Sequence, residues 1–402
     1  MGDSCISSAE ARTGPPHGLY VHVPFCRSIC PYCDFAVARS SAADMEPLAR
    51  AILAEHEARR PAQAAETIYL GGGTPTELPA ELLAMLLGGL SGGRAAREVT
   101  VEANPESVDR ERLDALVAAG ATRLSLGVQS TSDRVLRALG RRHDARAARS
   151  AFELAREAGV AAVSVDLMYG LPGQSEEDFR ASLEEIVRWR PDHMSAYALE
   201  LEPRVPMARR IASGRLRAPG EEQAARHYEL ACSILGGAGY EHYEISSFAA
   251  PGRRALHNQG YWLGRAYLGL GPGAHSFDGL RTRSWNLRRH REYVSRIEAG
   301  KCAAEGSEEL SREALALEAL MLGLRRAEGL SLEGPAWKPA QQYVAAWAAR
   351  QDPARVRLEE DRLRLTEAGF WYSHGLTADL WAGLPESLWK ESEEMPQENR
   401  SA

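Results

Sequence analysis

Cys26, Cys30 and Cys33 lie in one short stretch, Phe25-Cys26-Arg27-Ser28-Ile29-Cys30-Pro31-Tyr32-Cys33-Asp34-Phe35, directly after the apolar run Leu19-Tyr20-Val21-His22-Val23. Spacings of three and then two residues curl a loop on which three thiolates can converge at one metal centre. The loop offers no fourth ligand. A structural zinc site is normally closed by four protein ligands and would need a distant partner. A four-iron cluster held by three cysteines instead leaves one iron open for an exogenous ligand, which suggests chemistry at the cluster. Three unrelated thiols or a zinc knuckle is the plainer alternative. Cys5, Cys232 and Cys302 are scattered, which fits metal binding in a reducing compartment rather than a disulfide framework.

The CxxxCxxC loop resembles that of the radical S-adenosylmethionine (SAM) superfamily, in which it binds a four-iron, four-sulfur cluster with SAM on the open iron. Other residues can serve such a ligand. Gly71-Gly72-Gly73-Thr74-Pro75 ends an apolar run, where missing side chains let backbone approach a ligand; a tight turn explains it equally well. Together with the cysteines it resembles the superfamily's GGE-type motif, which contacts the SAM amino group. Glu102 in Val-Glu-Ala-Asn-Pro can hold ribose hydroxyls or the amino group, or be a solvated loop acid. Gln129 and Ser130 follow a strand, and Arg141 can pair a SAM carboxylate through its guanidinium fork or simply end a helix in solvent. Asp166 is a charge in an apolar run and needs a partner or ligand.

The elements that must position these residues alternate. Strands are expected at Leu19–Val23, Thr67–Leu70, Val99–Glu102, Arg123–Leu126, Val163–Leu167 and His193–Ala198, with helices between them, including one capped by Asp109. Alternation of this kind implies a parallel sheet with right-handed crossovers, and each motif follows a strand, where barrel active sites collect. The fold class expected is α/β, a partial (β/α)6 radical SAM barrel. Further on come a helix at Glu221–Gly236, a strand at Tyr240–Glu244 and a Gly- and aromatic-rich segment from His257 to Phe277. Polar Gly300–Ser307 reads as a linker. A helix at Leu315–Leu324, a hairpin of Val356–Leu358 with Leu363–Leu365, and a helix at Thr366–His374 then suggest a mainly helical, winged-helix-like module. The domains expected are a disordered start (1–17), a core with an extension (18–300), the helical module (308–385) and a disordered acidic tail (390–402).

Tyr20, GGGTP, VEANPE, RLSLGVQS, LGRRH, DLMYGLPGQ and SAYALELEP together resemble oxygen-independent coproporphyrinogen III oxidase and its close relatives, the HemW-type haem chaperones. The resemblance implies SAM contacts from Tyr20, Gly72, Gly73, Thr74, Glu102, Gln129, Arg141, Asp166, Ala198 and His275, and leaves catalytic residues unassigned. Two features separate the oxidase from the chaperone. The oxidases carry a further cysteine two residues after the third, whereas this chain has Phe35 there. His257-Asn258-Gln259-Gly260-Tyr261-Trp262 is similar to the HNxxYW motif of the chaperones. A histidine can ligate haem iron and aromatics can cover a porphyrin face, so His257, Tyr261 and Trp262 are the expected haem residues; a lone histidine without that context is usually structural. The chain is thus expected to bind haem, SAM and the cluster, to pass haem to recipient haemoproteins and to lack oxidase activity. The oxidase, decarboxylating two propionates of coproporphyrinogen III, is the alternative, followed by a non-catalytic metal-stabilised binding module. A homodimer and transient contact with membrane proteins stay open.

Composition bounds these readings. The chain has 402 residues, enough for a large domain plus a smaller one, with 44% hydrophobic and 26% charged residues. No apolar run reaches membrane-spanning length, and Met1–Gly18 has no apolar signal core, so a cytoplasmic protein is expected. Net charge is −7 and the arginines are spread out, which gives nucleic-acid binding no support.

Overall fold

The computed structural model describes residues 18–59, 65–93, 95–217, 220–334 and 336–389. The expectations for 1–17, for the tail from 390 and for Cys5 fall outside the described residues. The chain opens with β1 (Gly18–Val23), the short pair β2 (Phe25–Cys26) and β3 (Ala38–Arg39), and α1 (Ala42–Arg59). Then follow β4 (Thr67–Gly72), α2 (Ala80–Ser91), β5 (Glu98–Ala103), α3 (Arg110–Ala118), β6 (Arg123–Gln129), α4 (Asp133–Ala138), α5 (Ala145–Glu157), β7 (Ala162–Tyr169), α6 (Glu176–Trp189) and β8 (His193–Ala198). Asp109 caps α3 as expected, accepting the Arg112 amide at 2.9 Å.

The six strands β1, β4, β5, β6, β7 and β8 stand side by side in chain order, each parallel to the next. After α7 (Pro206–Ala212) and α8 (Glu221–Gly237) come β9 (Glu241–Glu244) and β10 (Ser247–Ala249); β10 pairs antiparallel with β8, and β9 antiparallel with β10 at the sheet's edge. Beyond α9 (Leu256–Trp262), β11 (Tyr267–Leu270) joins β1 in parallel, and β12 (His275–Phe277) and β13 (Thr282–Asn286) extend that side antiparallel. After α10 (His290–Glu298), β14 (Ala304–Glu309) completes a twelve-stranded mixed sheet with β14 and β9 at its ends. No closed barrel forms among the described residues, in line with the partial barrel expected.

Strand periodicity explains why this sheet can carry a site. Leu19, Val21 and Val23, Ile68 and Leu70, Val99 and Val101, Leu124 and Leu126, and Val163 and Val165 occupy alternate, buried positions. The intervening positions are polar: Tyr20 and His22, Thr67 and Tyr69, Thr100 and Glu102, Arg123 and Ser125, Ser164 and Asp166, His193 and Ser195. A parallel sheet covered by helices is ordinarily apolar on both faces. Here one face is reserved for polar contacts.

The segment expected to be a linker is not one. β14 runs through it, with mostly exposed polar side chains, as suits an edge strand. Polar composition alone cannot tell such a strand from a loop.

The chain divides into two compact units, the first running to Tyr261 and resuming at Arg265–Glu308, the second comprising Trp262–Gly264 and the chain from Glu309. The second unit holds α11 (Arg312–Leu324), β15 (Leu330–Ser331), α12 (Gln341–Ala348), β16 (Val356–Glu359), β17 (Arg362–Leu365), α13 (Glu367–Phe370) and α14 (Ser373–Ala382). The β16–β17 hairpin forms as expected and β15 pairs with it antiparallel. The single helix expected over Thr366–His374 is instead two pieces broken at Trp371–Tyr372. Thr366 caps the first piece, and Gly369 lies so close to the Arg355 carbonyl that an added Cβ would come within 2.1 Å of it. No helix among the described residues is long and apolar enough to cross a membrane.

Candidate cofactor site

The cluster loop leaves β1 and is fastened at both ends. Phe25 and Cys26 pair with Ala38 and Arg39, and the His22 ring donates from Nε2 to the Ala36 carbonyl at 3.0 Å. That bond puts the proton on Nε2 and leaves Nδ1 to accept the Tyr20 hydroxyl, also at 3.0 Å. The loop's tip is held as well. The Met207 amide donates to the Pro31 carbonyl at 2.8 Å, and Tyr32 packs on Val135, Leu139, Met168 and Leu171.

The glycine run has a structural reason for each member. A Cβ on Gly71 would lie 2.7 Å from the Tyr69 ring, and one on Gly73 would lie 2.6 Å from the Pro24 backbone. Gly72 has φ of 105° and would drive a Cβ into the His22 ring. The Gly73 and Thr74 amides then donate to Val23 and Phe25 at 2.8 Å, locking β4 to the loop's entry. Tight turn and close approach are both real here.

Cys26, Cys30 and Cys33 line one cleft together with Gly72, Gly73, Glu102, Gln129, Arg141 and Asp166. Burial pushes the Cys26 thiol up to about 11 and raises that of Cys33. Thiolates in such a place need a positive metal centre to compensate them. Thr74 is buried behind this wall. Its hydroxyl accepts from Asn104 Nδ2 at 2.7 Å and faces Cys26 Sγ at 3.5 Å, so it positions a cysteine and does not line the cleft.

Two carboxyls close the cleft's floor. Glu102 accepts the Tyr69 hydroxyl at 2.6 Å and the Gly72 amide at 3.1 Å, yet burial and then Asp166 raise it to about 7 against those bonds. Burial likewise raises Asp166 to about 6, with the Ser195 and Ser125 hydroxyls and Arg141 opposing. A buried pair of this kind favours a cationic guest. Across from it Arg141 donates to the Gly127 carbonyl at 2.8 Å, to Asn104 Oδ1 and toward Cys30 Sγ at 3.7 Å, while its buried Nε has no partner among the described residues. Gln129 sits at a bulge in the β6–β7 register with φ of 67°, and its Oε1 accepts the Tyr197 hydroxyl at 3.0 Å. A left-handed non-glycine residue is strained and is retained where the side chain must be re-aimed. Amine, sulfonium and carboxylate therefore all find counterparts, and the residues present fit a cluster with SAM.

Tyr20 and His275 line an adjoining cleft that shares Gly72, Glu102 and Phe35 with the first. Ala198 ends β8 opposite Tyr169 and lines neither. Phe35 is 64% exposed on the shared rim.

The expected haem residues separate. His257 is 2% exposed; its Nδ1 is bonded to Thr67 Oγ1 at 2.9 Å, its Nε2 to the Tyr261 hydroxyl at 3.0 Å, and its ring stacks on Tyr69 at 5.0 Å. Both nitrogens are engaged, and ligation by either would break a bond. Tyr261 lines the second cleft. Trp262 falls in the second unit, where the Arg325 guanidinium lies 4.3 Å over its ring.

Sequence reading missed Tyr69, Asn104 and Tyr197. Tyr69 and Tyr197 occupy alternate polar positions of their strands, and that signal was present. It also missed Glu98, which accepts the Arg123 guanidinium at 3.2 Å and the Leu256 and His257 amides at 3.0 Å, fixing the start of α9.

Residues 20–186 match the family model described as the radical SAM superfamily, which implies a four-iron, four-sulfur cluster and SAM, and residues 310–372 match the HemN C-terminal domain. The chain is 40% identical over 329 residues to "Heme chaperone HemW" of Mycobacterium tuberculosis (strain CDC 1551 / Oshkosh), covering 79% of this chain and 84% of that one. It is 36% identical over 319 residues to the protein of the same name in Bacillus subtilis (strain 168), covering 78% and 84%. Among solved structures, coproporphyrinogen III oxidase (HemN) from Escherichia coli superposes with a TM-score of 0.79 over 94% of this chain and 92% of that one, at 23% identity, a likeness of fold.

Proposed function

The chain belongs to the HemW haem chaperone family of radical SAM proteins, and on that premise we propose that it binds haem beside a SAM-ligated cluster and delivers that haem to haemoproteins. Cys26, Cys30 and Cys33 would hold the cluster, and Gly72, Gly73, Glu102, Gln129, Arg141 and Asp166 would hold SAM. When bound, the cluster supplies an open iron that SAM can chelate. The chain's own residues then act by placement: Glu102 and Asp166 attract the cationic end of SAM, and Arg141 faces its carboxylate.

The observation that carries the chaperone reading over the oxidase is Phe35. It stands exposed on the rim shared by the two clefts, where the resemblance to the oxidase calls for a fourth cysteine. A phenyl ring supplies no thiol, and it offers apolar area to a porphyrin face. In this reading haem lies against Tyr261 and Phe35, with His257 holding the Tyr261 hydroxyl from behind. Anaerobically reconstituted protein should bind ferric haem saturably and leave coproporphyrinogen III unconverted in the presence of SAM and reductant. Formation of protoporphyrinogen IX would replace this reading with the oxidase.

A further inference from the structure

His275 contrasts with the buried His257 at every point that matters for metal ligation. It begins β12, is exposed in the second cleft, and stacks against its cross-strand neighbour Trp285 at 6.0 Å and 30°. Among the described residues neither of its ring nitrogens makes a hydrogen bond. His257, by comparison, is packed so closely that a Cβ added to Gly18 would sit 2.8 Å from its ring.

The groups around His275 have the chemistry of one particular guest. Phe35, Tyr261 and Tyr267 give the cleft aromatic walls. Arg204 and Arg288 are exposed at its edge, and among the described residues no carboxylate lies within ion-pair distance of either. Asp34 and the shared Glu102 are the acids lining the same cleft. In the reading above Arg141 would take the single carboxylate of SAM in the first cleft, so two further unpaired arginines exceed what SAM would need. A flat, apolar metal complex carrying two carboxylates matches them.

We propose that haem is seated in this second cleft, with His275 as the iron ligand and Arg204 and Arg288 pairing the two propionates. The inference rests on the haem reading above and locates the cargo beside the SAM cleft, across the wall of Gly72 and Glu102. His257 is then a positioning residue that holds Tyr261.

The test is a ferric haem titration of the full-length, cluster-reconstituted protein, read by the Soret band and by electron paramagnetic resonance. His275→Ala should lose the histidine-ligated signature and bind about tenfold more weakly or worse, and added imidazole should restore the signature. His257→Asn should keep it. Arg204→Ala and Arg288→Ala should each weaken haem by about two- to fivefold, as suits exposed ion pairs, and make no difference with haem dimethyl ester as the probe. An unchanged spectrum in His275→Ala overturns the ligand assignment while the haem reading stands. That arm decides alone if His257→Asn fails to load the cluster. No saturable binding by the unaltered protein would remove the haem reading and this inference together.

Discussion

Tyr69 donates a 2.6 Å hydrogen bond to Glu102, and the same carboxyl accepts the amide of Gly72, so the glycine run and the acid that faces it are a single assembly. Burial and the neighbouring Asp166 nevertheless raise Glu102 from its ordinary 4.5 to about 7. The folded protein therefore holds a proton there that the unfolded chain has lost, and stability falls as pH rises between about 4.5 and about 7. Glu102→Gln should flatten that slope and recover up to about 3 kcal/mol at pH 7, measured by urea unfolding across the window. A slope identical to that of the unaltered protein would show Glu102 ionising normally.

The cysteines separate into two classes. Cys26→Ser, Cys30→Ser and Cys33→Ser should each abolish the iron-sulfur absorbance after anaerobic reconstitution, because among the described cysteines only these three line the cleft. Cys232→Ser and Cys302→Ser should load the cluster fully. A variant of the first set that keeps its full chromophore would remove that ligand from the assignment.

Arg141→Lys should bind SAM more weakly although charge is kept, since a lysine cannot hold Asn104 and Gly127 and present a second face to a carboxylate at once. The readout is the change SAM makes in the reduced cluster's electron paramagnetic resonance spectrum. The midpoint of that change should move to higher SAM concentration, by about tenfold if a charge-assisted bidentate contact is lost. An unmoved midpoint would take Arg141 out of the SAM contacts.

Glu55 anchors the second cleft from behind. It is buried and accepts from Gly271 N at 2.9 Å, Tyr293 Oη at 2.7 Å, Asn286 Nδ2 at 2.8 Å and the Arg59 guanidinium at 2.8 Å. Glu55→Ala would strand all four donors and should cost about 3 to 5 kcal/mol in unfolding experiments. A loss under about 1 kcal/mol would mean that water satisfies those groups.

These networks show what the sequence could and could not reveal. The cysteine loop, the glycine run, Glu102, Arg141 and Asp166 were legible as chemistry-bearing residue types at strand ends, and the fold brings them to one cleft. The reserved polar face was legible too, in alternations such as Thr67-Ile68-Tyr69-Leu70, but it becomes evident only when six strands are aligned. Glu98 with Arg123, and Glu55 with Asn286 and Tyr293, were not legible. Their partners are far apart in the chain and share no motif, so only the folded register brings them together. His257 was legible as a motif residue, but its burial and its bonds to Thr67 and Tyr261 were not, because they too depend on partners that only the fold brings together.

Haem hand-over tests the central claim most directly. The reconstituted protein would be loaded with haem and mixed with an apo-b-type cytochrome, and the acceptor's Soret band followed. The account predicts that the acceptor gains haem faster than an excess of a passive haem scavenger draws it from the same loaded protein. Equal rates, or no transfer, would show simple release or storage and contradict the chaperone function.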